Sequence, residues 1–234
     1  MKRWLISAAM ALGVLPIPGY AQQNLELNIF GAGSIYTKKQ YEIGFPQSIT
    51  PIPGEFKLDK AIRGGVRFNV YTRGHWSEEF FYSYEPDKTH FLRRSTPPVS
   101  LALDMQVHNL GVNAIYYLHE DEGRRIRPFI SVGFGATVYR PTAEAQAIAR
   151  DPLRGNLRDM DSSRELALNY GAGFKSRFNN RVGFRLDVRG FTGRTPSFGL
   201  ARQSNDPNAT VFPASGVIQN GEASAGLIFY FGKP

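Results

Sequence analysis

From about residue 24 onward the chain alternates apolar and polar residues with a period of two, and its charges keep to one of the two faces. Period two is the signature of strands whose faces meet unlike surroundings. Leu25, Leu27, Ile29 and Ile35 oppose Glu26, Asn28 and Ser34, and Ile62, Val66, Phe68 and Val70 oppose Arg63, Arg67, Asn69 and Tyr71. Phe80, Tyr82 and Tyr84 oppose Glu79, Phe81 and Ser83, while Ile130, Val132, Phe134, Ala136 and Val138 oppose Ser131, Gly133, Gly135 and Thr137. Later strands repeat the pattern: Leu166, Leu168, Tyr170, Ala172 and Phe174 against Asn169, Gly171, Gly173 and Lys175, then Val182, Phe184, Leu186 and Val188 against Arg185, Asp187 and Arg189. Ala225, Leu227, Phe229 and Phe231 close the series against Ser224, Gly226 and Tyr230. On the apolar faces of these strands only Glu78 is charged.

Alternation alone fits a soluble sandwich, which buries its apolar face, or a membrane barrel, which turns that face to lipid and keeps a polar lumen. Three features favour the barrel. The polar face is rich in Gly and Ser, as a narrow lumen crowded by long charged side chains requires. Each apolar face supplies about five positions over roughly nine to eleven residues, the length of a tilted membrane-crossing strand. The N-terminus supplies a route: Lys2 and Arg3, an apolar run from Trp4 to Leu15 too short for a bilayer helix, and the small residues Gly19 and Ala21 before a cleavage point. Residues 1–21 therefore read as a secretory signal peptide and 22–234 as one barrel domain. The chain has no cysteine, which excludes disulfides and thiolate chemistry. Removing Lys2 and Arg3 takes the formal charge from +8 to +6, an excess that suits anionic surfaces. No basic stripe points to nucleic acid.

The connections alternate in length. Thr72 to His75, His119 to Ile126 and Ser176 to Asn180 are short, whereas Thr37 to Asp59, Pro86 to Pro98, Arg140 to Ser163 and Gly193 to Gln219 are long. Short periplasmic turns and long external loops are the habit of outer-membrane barrels. Seven such connections give an all-β, eight-stranded antiparallel up-and-down transmembrane barrel in the bacterial outer membrane, with both termini in the periplasm. Aromatic residues gather near both strand ends, Tyr71, Trp76, Tyr116, Tyr117, Phe178, Phe229 and Phe231 at one and Tyr36, Tyr84, Tyr139 and Phe191 at the other, as two interfacial girdles would. The fourth strand changes frame. Val99, Leu101, Leu103, Met105 and Val107 share one face, and Leu110, Val112, Ala114, Tyr116 and Leu118 share the other. A β-bulge at His108-Asn109 is one explanation. The start of the membrane strand, with loop before it, is another.

With Leu25 to Tyr36, the segment Arg127-Pro128-Phe129-Ile130-Ser131-Val132-Gly133-Phe134-Gly135 and the closing strand Ala223 to Phe231, the chain resembles the small OmpA/OmpX-type barrels of the outer-membrane β-barrel domain family. The resemblance covers the whole mature chain. It implies insertion by the barrel-assembly machinery, with Phe229 and Phe231 as the C-terminal assembly signal.

The inward face collects Glu26, Arg63, Arg67, Glu79, Lys175, Arg185, Asp187 and Arg189, both signs at comparable heights. An eight-stranded lumen is just wide enough for side chains, so these charges are expected to pair and plug it. No catalytic residues are assigned. His90 with Asp87 and Thr89 is the nearest approach to a site, and a solvated loop histidine is the plainer reading. The glycines of Gly31-Ala32-Gly33 precede no helix and form no nucleotide loop, and no cofactor or metal is implied. Arg150, Arg154, Arg158 and Arg164, with Lys38, Lys39, Arg93 and Arg94, offer contacts to outer-membrane lipid and lipopolysaccharide phosphates, although Asp151, Asp159 and Asp161 offset much of the third loop's charge. Thr142 to Arg150 reads as a short helix behind Pro141. The expected role is structural or surface-interacting. A small-solute channel is the alternative, followed by a lipid-A-modifying enzyme.

Overall fold

The computed structural model describes residues 25–43, 52–94, 98–119, 125–151, 160–203 and 211–231, so the expected signal peptide lies outside the described residues. Eight long strands follow one another around a closed antiparallel ring: β1 (Leu25–Tyr36), β4 (Ala61–Arg73), β5 (Trp76–Arg93), β6 (Val99–Tyr117), β7 (Ile126–Pro141), β8 (Ser163–Arg177), β9 (Val182–Arg194) and β10 (Val217–Phe231). β10 returns to β1 with Leu25 opposite Phe231 and Tyr36 opposite Asn220, which leaves no open edge in the barrel. The long first connection holds the hairpin β2 (Lys39–Ile43) and β3 (Ile52–Leu58), and β3 pairs with the far end of β5. No helix among the described residues is long and apolar enough to cross a membrane.

Side-chain parity follows the sequence reading. The outward positions Ile29, Ile62, Phe80, Val132, Phe134, Leu166, Leu168, Val188 and Leu227 are exposed, forming an apolar band that water would not tolerate and lipid would. Inward positions are mostly buried. Glycine lets the wall come close where large groups fill the interior: a Cβ on Gly173 would lie 2.4 Å from that of Asp187.

The fourth barrel strand corrects one expectation. β6 contains no bulge, since its register runs without a shift against β5 from Val99 with Arg93 to Tyr116 with Trp76, and against β7 from Met105 with Pro141 to Tyr117 with Phe129. Leu101, Leu103, Met105 and Val107 are buried inside the ring, while Leu110, farther along the same strand, is exposed on its outside. The parity is constant and the surroundings exchange. Beyond the lipid belt the outside becomes aqueous, as the exposed Ala102 and Asp104 show, and the inside becomes an apolar core.

That core was not foreseen. Leu103, Met105 and Val107 meet Phe56 and Leu58 from β3, Phe91 from β5 and Phe198 and Phe212 from the last long connection. Pro86 to Pro98, read as a loop, is largely strand, because β5 continues to Arg93 to carry this upper storey. The short helix α1 (Ala143–Arg150) does form, capped by the Thr142 hydroxyl accepting from the Ala145 amide, and it tucks Ala145 and Ala149 into the core. The girdles are thinner than expected. Trp76, Tyr84, Phe178 and Phe231 are exposed, whereas Tyr117, Tyr139 and Phe191 are buried inside the barrel.

Candidate functional site

Strand parity delivers all eight charged residues singled out in the sequence to the lumen, where each is between 0 and 5 % exposed. They are stacked in three levels. Near the end where β1 begins, Lys175 of β8 bonds the Glu26 carboxylate of β1, and Asn69 donates to Glu26 Oε2 at 2.9 Å and to the Tyr117 hydroxyl at 3.0 Å. The Arg127 guanidinium lies 4.1 Å over the Tyr117 ring, so an aromatic side chain separates cations that would otherwise repel.

The middle level is organised on β9. Arg185, Asp187 and Arg189 share the inward parity of one strand, so the acid stands between two cations. Arg185 lies 2.8 Å and Arg189 3.2 Å from Asp187 Oδ2, and Ser224 donates to the same carboxylate. From the facing wall Glu79 accepts from Arg185 Nη1 at 2.6 Å, Arg189 Nη2 at 2.7 Å and Asn113 Nδ2 at 2.8 Å. Arg67 reaches Asp187 Oδ1 at 3.4 Å and donates to Glu222 Oε1 at 3.0 Å, which ties this level to the next.

At the upper level Arg63 spends its fork on three strands. Its Nε donates to Glu85 Oε2 at 2.7 Å, Nη1 to Glu222 Oε2 at 2.6 Å, and Nη2 to Asn220 Oδ1 at 3.0 Å and the Tyr36 hydroxyl at 3.1 Å. Aromatic rings fill the space between the guanidinium groups: Arg67 over Phe30 at 3.6 Å, Arg185 over Phe129 at 4.5 Å and Arg63 over Phe191 at 5.4 Å. Five cations, Arg63, Arg67, Lys175, Arg185 and Arg189, thus meet five carboxylates, Glu26, Glu79, Glu85, Asp187 and Glu222. A cavity of about 10 Å³, room for about one water, lies above them between Tyr36, Asn109, Thr137 and Tyr139.

Glu85 and Glu222 were not among the sequence candidates. The signal was there: Glu85 has the parity of Glu79 on β5 and Glu222 that of Ser224 on β10. Glu85 falls just past Ser83 and Tyr84 and Glu222 just before Ala223, at strand margins where the outward neighbours Pro86 and Gly221 are not large apolar groups to mark the alternation.

The candidate at His90 changes partners. Asp87 and Thr89 point inward, whereas His90 lies on the opposite parity and its Nε2 meets Asp59 Oδ2 at 2.9 Å. The hydrogen bond from His90, with burial opposing it, holds the Asp59 carboxyl below its ordinary range. Asp87 behaves oppositely. It sits above Tyr84, the last apolar outward residue of β5 before Pro86 and Lys88, and burial, reinforced by the Glu85 carboxylate, pushes its carboxyl up to about 7. No group of three His, Asp or Glu side chains among the described residues is arranged to hold a metal ion. Phe229 and Phe231 stand on the outward face at the end of β10. Arg154 and Arg158 lie outside the described residues. Arg164, placed in or beside the third long loop, is the second residue of β8 and exposed on its outer face.

Residues 7–215 match the outer membrane protein β-barrel domain family. In fold the chain is similar to the crystal structure of the outer membrane protein OprG from Pseudomonas aeruginosa, at 12% identity and a TM-score of 0.56, covering 91% of this chain and 98% of that one. It is also similar to Neisserial surface protein A (NspA), at 13% identity and a TM-score of 0.48 over 88% of this chain and 97% of that one. No characterised protein matches at the level of whole-sequence comparison.

Proposed function

The chain belongs to the outer membrane protein β-barrel domain family, and on that premise we propose that it is a sealed barrel with a structural or surface-interacting role rather than a pore. One observation carries the reading: Glu79 and Arg185 join diametrically opposite strands, at 2.6 Å, across the middle of the lumen. A bond that spans the full width leaves no room for a hydrated ion beside it. The levels above and below are tied by shorter spans: Arg63–Glu222 joins β4 to β10, the two neighbours of β1, and Lys175–Glu26 joins β8 to β1, three strands apart. Over the upper charged level lies the apolar core around Leu103, Met105 and Phe198, a second barrier of opposite chemistry. A solute small enough to pass one layer would meet the other.

The same packing leaves the reading without a reaction. His90 is paired with Asp59 in the loop-end region, and no hydroxyl among the described residues is bonded to its ring. What faces the exterior is the upper storey, with its β2–β3 hairpin, α1 and the segment around Phe198 and Phe212 held on a packed core. The described part of these connections thus offers a packed platform for recognition. Single-channel recording of the refolded full chain in a planar bilayer tests the seal. Small, intermittent conductance is expected. A stable conductance of porin size overturns the seal and favours the small-solute channel.

A further inference from the structure

Three adjacent strands end their lipid-facing stripe on arginine. On β7 every outward position from Ile126 to Val138 is uncharged, and the next is Arg140. On β8 Arg164 comes first, followed by uncharged outward positions from Leu166 to Ser176, and on β9 uncharged outward positions from Val182 to Thr192 lead to Arg194. All three arginines are exposed, and none makes an ion pair among the described residues. The register brings them together. Val138 pairs with Arg164, which makes Arg164 the diagonal neighbour of Arg140, and Ala167 pairs with Gly193, which makes it the diagonal neighbour of Arg194. Diagonal neighbours on one face are about 7–8 Å apart. Lys39 extends the row, its Nζ lying 3.9 Å from where a Cβ of Gly216 would sit, beside the Val217–Arg194 pair.

The opposite wall carries lysines in place of arginines: exposed Lys60 precedes β4 on the parity of Ile62, and Lys88 of β5 faces Asp104 of β6 at 3.8 Å. Asp104 is also a diagonal neighbour of Arg140, because Gln106 pairs with Arg140, so the arginine row has one acid at its β6 end. Directly below the arginines lies open apolar surface, with Leu166 83 %, Phe134 68 % and Val188 60 % exposed. Three like charges held side by side call for an anion, and the planar guanidinium fork fits phosphate oxygens in pairs. We propose that the outer face of β7, β8 and β9 binds a phosphorylated lipid of the leaflet at the loop end. Its phosphates lie among Arg140, Arg164 and Arg194, and its acyl chains lie along Leu166, Phe134 and Val188. In an outer membrane the lipid with several phosphates on one acylated headgroup is lipopolysaccharide. The proposal rests on the membrane placement of the barrel and is independent of whether the lumen is sealed.

The test uses the full chain in nanodiscs of zwitterionic phosphatidylcholine, titrated with lipid A carrying two phosphates, one or none. The triple variant Arg140→Gln, Arg164→Gln, Arg194→Gln is compared with Lys88→Gln on the opposite wall, with folding checked by heat-dependent gel migration. Binding of the two-phosphate lipid should weaken on the order of a hundredfold in the triple variant and stay unchanged in Lys88→Gln. Affinity should fall stepwise as phosphates are removed, and millimolar inorganic phosphate should not compete. Should the triple variant fail to fold, each single variant is expected to weaken binding about fivefold. Unchanged affinity in the folded arginine variants overturns the proposal. So does equal binding of the phosphate-free lipid, and displacement by inorganic phosphate would replace the lipid site with a simple anion site.

Discussion

Glu79 of β5 and Arg185 of β9 lie 106 residues apart in the chain and on opposite walls of the ring, yet Arg185 Nη1 donates to Glu79 Oε2 at 2.6 Å. A contact across a barrel diameter fixes more than a contact between neighbours, because it sets the separation of two walls that share no backbone hydrogen bonds. The network around it has no spare acid: Asp187 and Glu79 together face Arg67, Arg185 and Arg189.

Removing one member should therefore unbalance the rest. Asp187→Ala leaves Arg185 and Arg189 with Glu79 alone and takes a partner from Arg67 and Ser224. Loss of one partner from a buried charge pair costs about 3–5 kcal/mol. Urea unfolding in lipid vesicles, followed by Trp fluorescence, should show a loss of that size. Asp187→Asn, which keeps the shape and part of the hydrogen bonding, should fall between the two. A neutral Asp187→Ala would mean that water, not protein, balances these arginines.

The long connections are expected to face the outside of the cell, and labelling at the two ends of the barrel tests that placement. Single cysteines at Ala143, exposed in α1, and at Asn180, exposed in the turn before β9, lie at opposite ends of the barrel. On whole cells an impermeant maleimide should label Ala143→Cys and spare Asn180→Cys until the outer membrane is opened. Equal labelling of both on intact cells contradicts the placement of the long connections outside.

The Asp87 carboxyl, held up to about 7 by burial and by Glu85, gives the loop end a pH dependence of definite sign. Below the ordinary carboxyl range, near 4, Asp87 is protonated folded or unfolded and contributes no pH dependence. Between about 4 and about 7 the unfolded segment loses its proton first, so the folded arm is progressively destabilised as pH rises, and above that the penalty is constant. The amides of Asp59 and Lys88, which bond Asp87 Oδ1 at 3.2 and 2.6 Å, are the reporters. Their hydrogen exchange, corrected for the intrinsic rate, should speed up from pH 4.5 to pH 7. In Asp87→Asn the extra dependence should vanish. An identical pH profile in the two proteins would exclude Asp87 as its source.

Most of the barrel was legible because one physical variable, the side to which a residue points, is written in the sequence with period two. Glu26, Arg67 and Lys175 needed only parity to be placed inside. The upper storey was illegible for the same reason. Reading apolar as outward presumes lipid outside, and that holds for Leu110 but fails for Leu103, on one unbroken strand. The frame change at His108-Asn109 was the visible trace of the boundary, but a bulge gives the same trace in a single sequence. Pairing was also out of reach: parity puts Glu79 and Arg185 in the lumen without saying that they face each other, which depends on the number of strands between them.

The boundary on β6 can be tested with the same substitution on either side of it. Ala102 and Val112 lie on the outer face of one strand, ten residues apart, with identical parity and continuous register. If the medium outside changes from water to lipid between them, Ala102→Arg should alter stability by no more than about 0.5 kcal/mol, as an exposed surface change does. Val112→Arg, near the middle of the apolar belt between Phe80 and Phe134, should cost about 2–4 kcal/mol. Leu103→Ala supplies the complementary arm. Its side chain is buried in the apolar core, so truncation should cost about 2–5 kcal/mol. Outward arginine tolerated at Ala102 but costly at Val112, with the inward truncation costly at Leu103, follows only if inside and outside exchange polarity along one strand. Equal costs at Ala102 and Val112 would place lipid, or water, along the whole of β6 and remove the boundary.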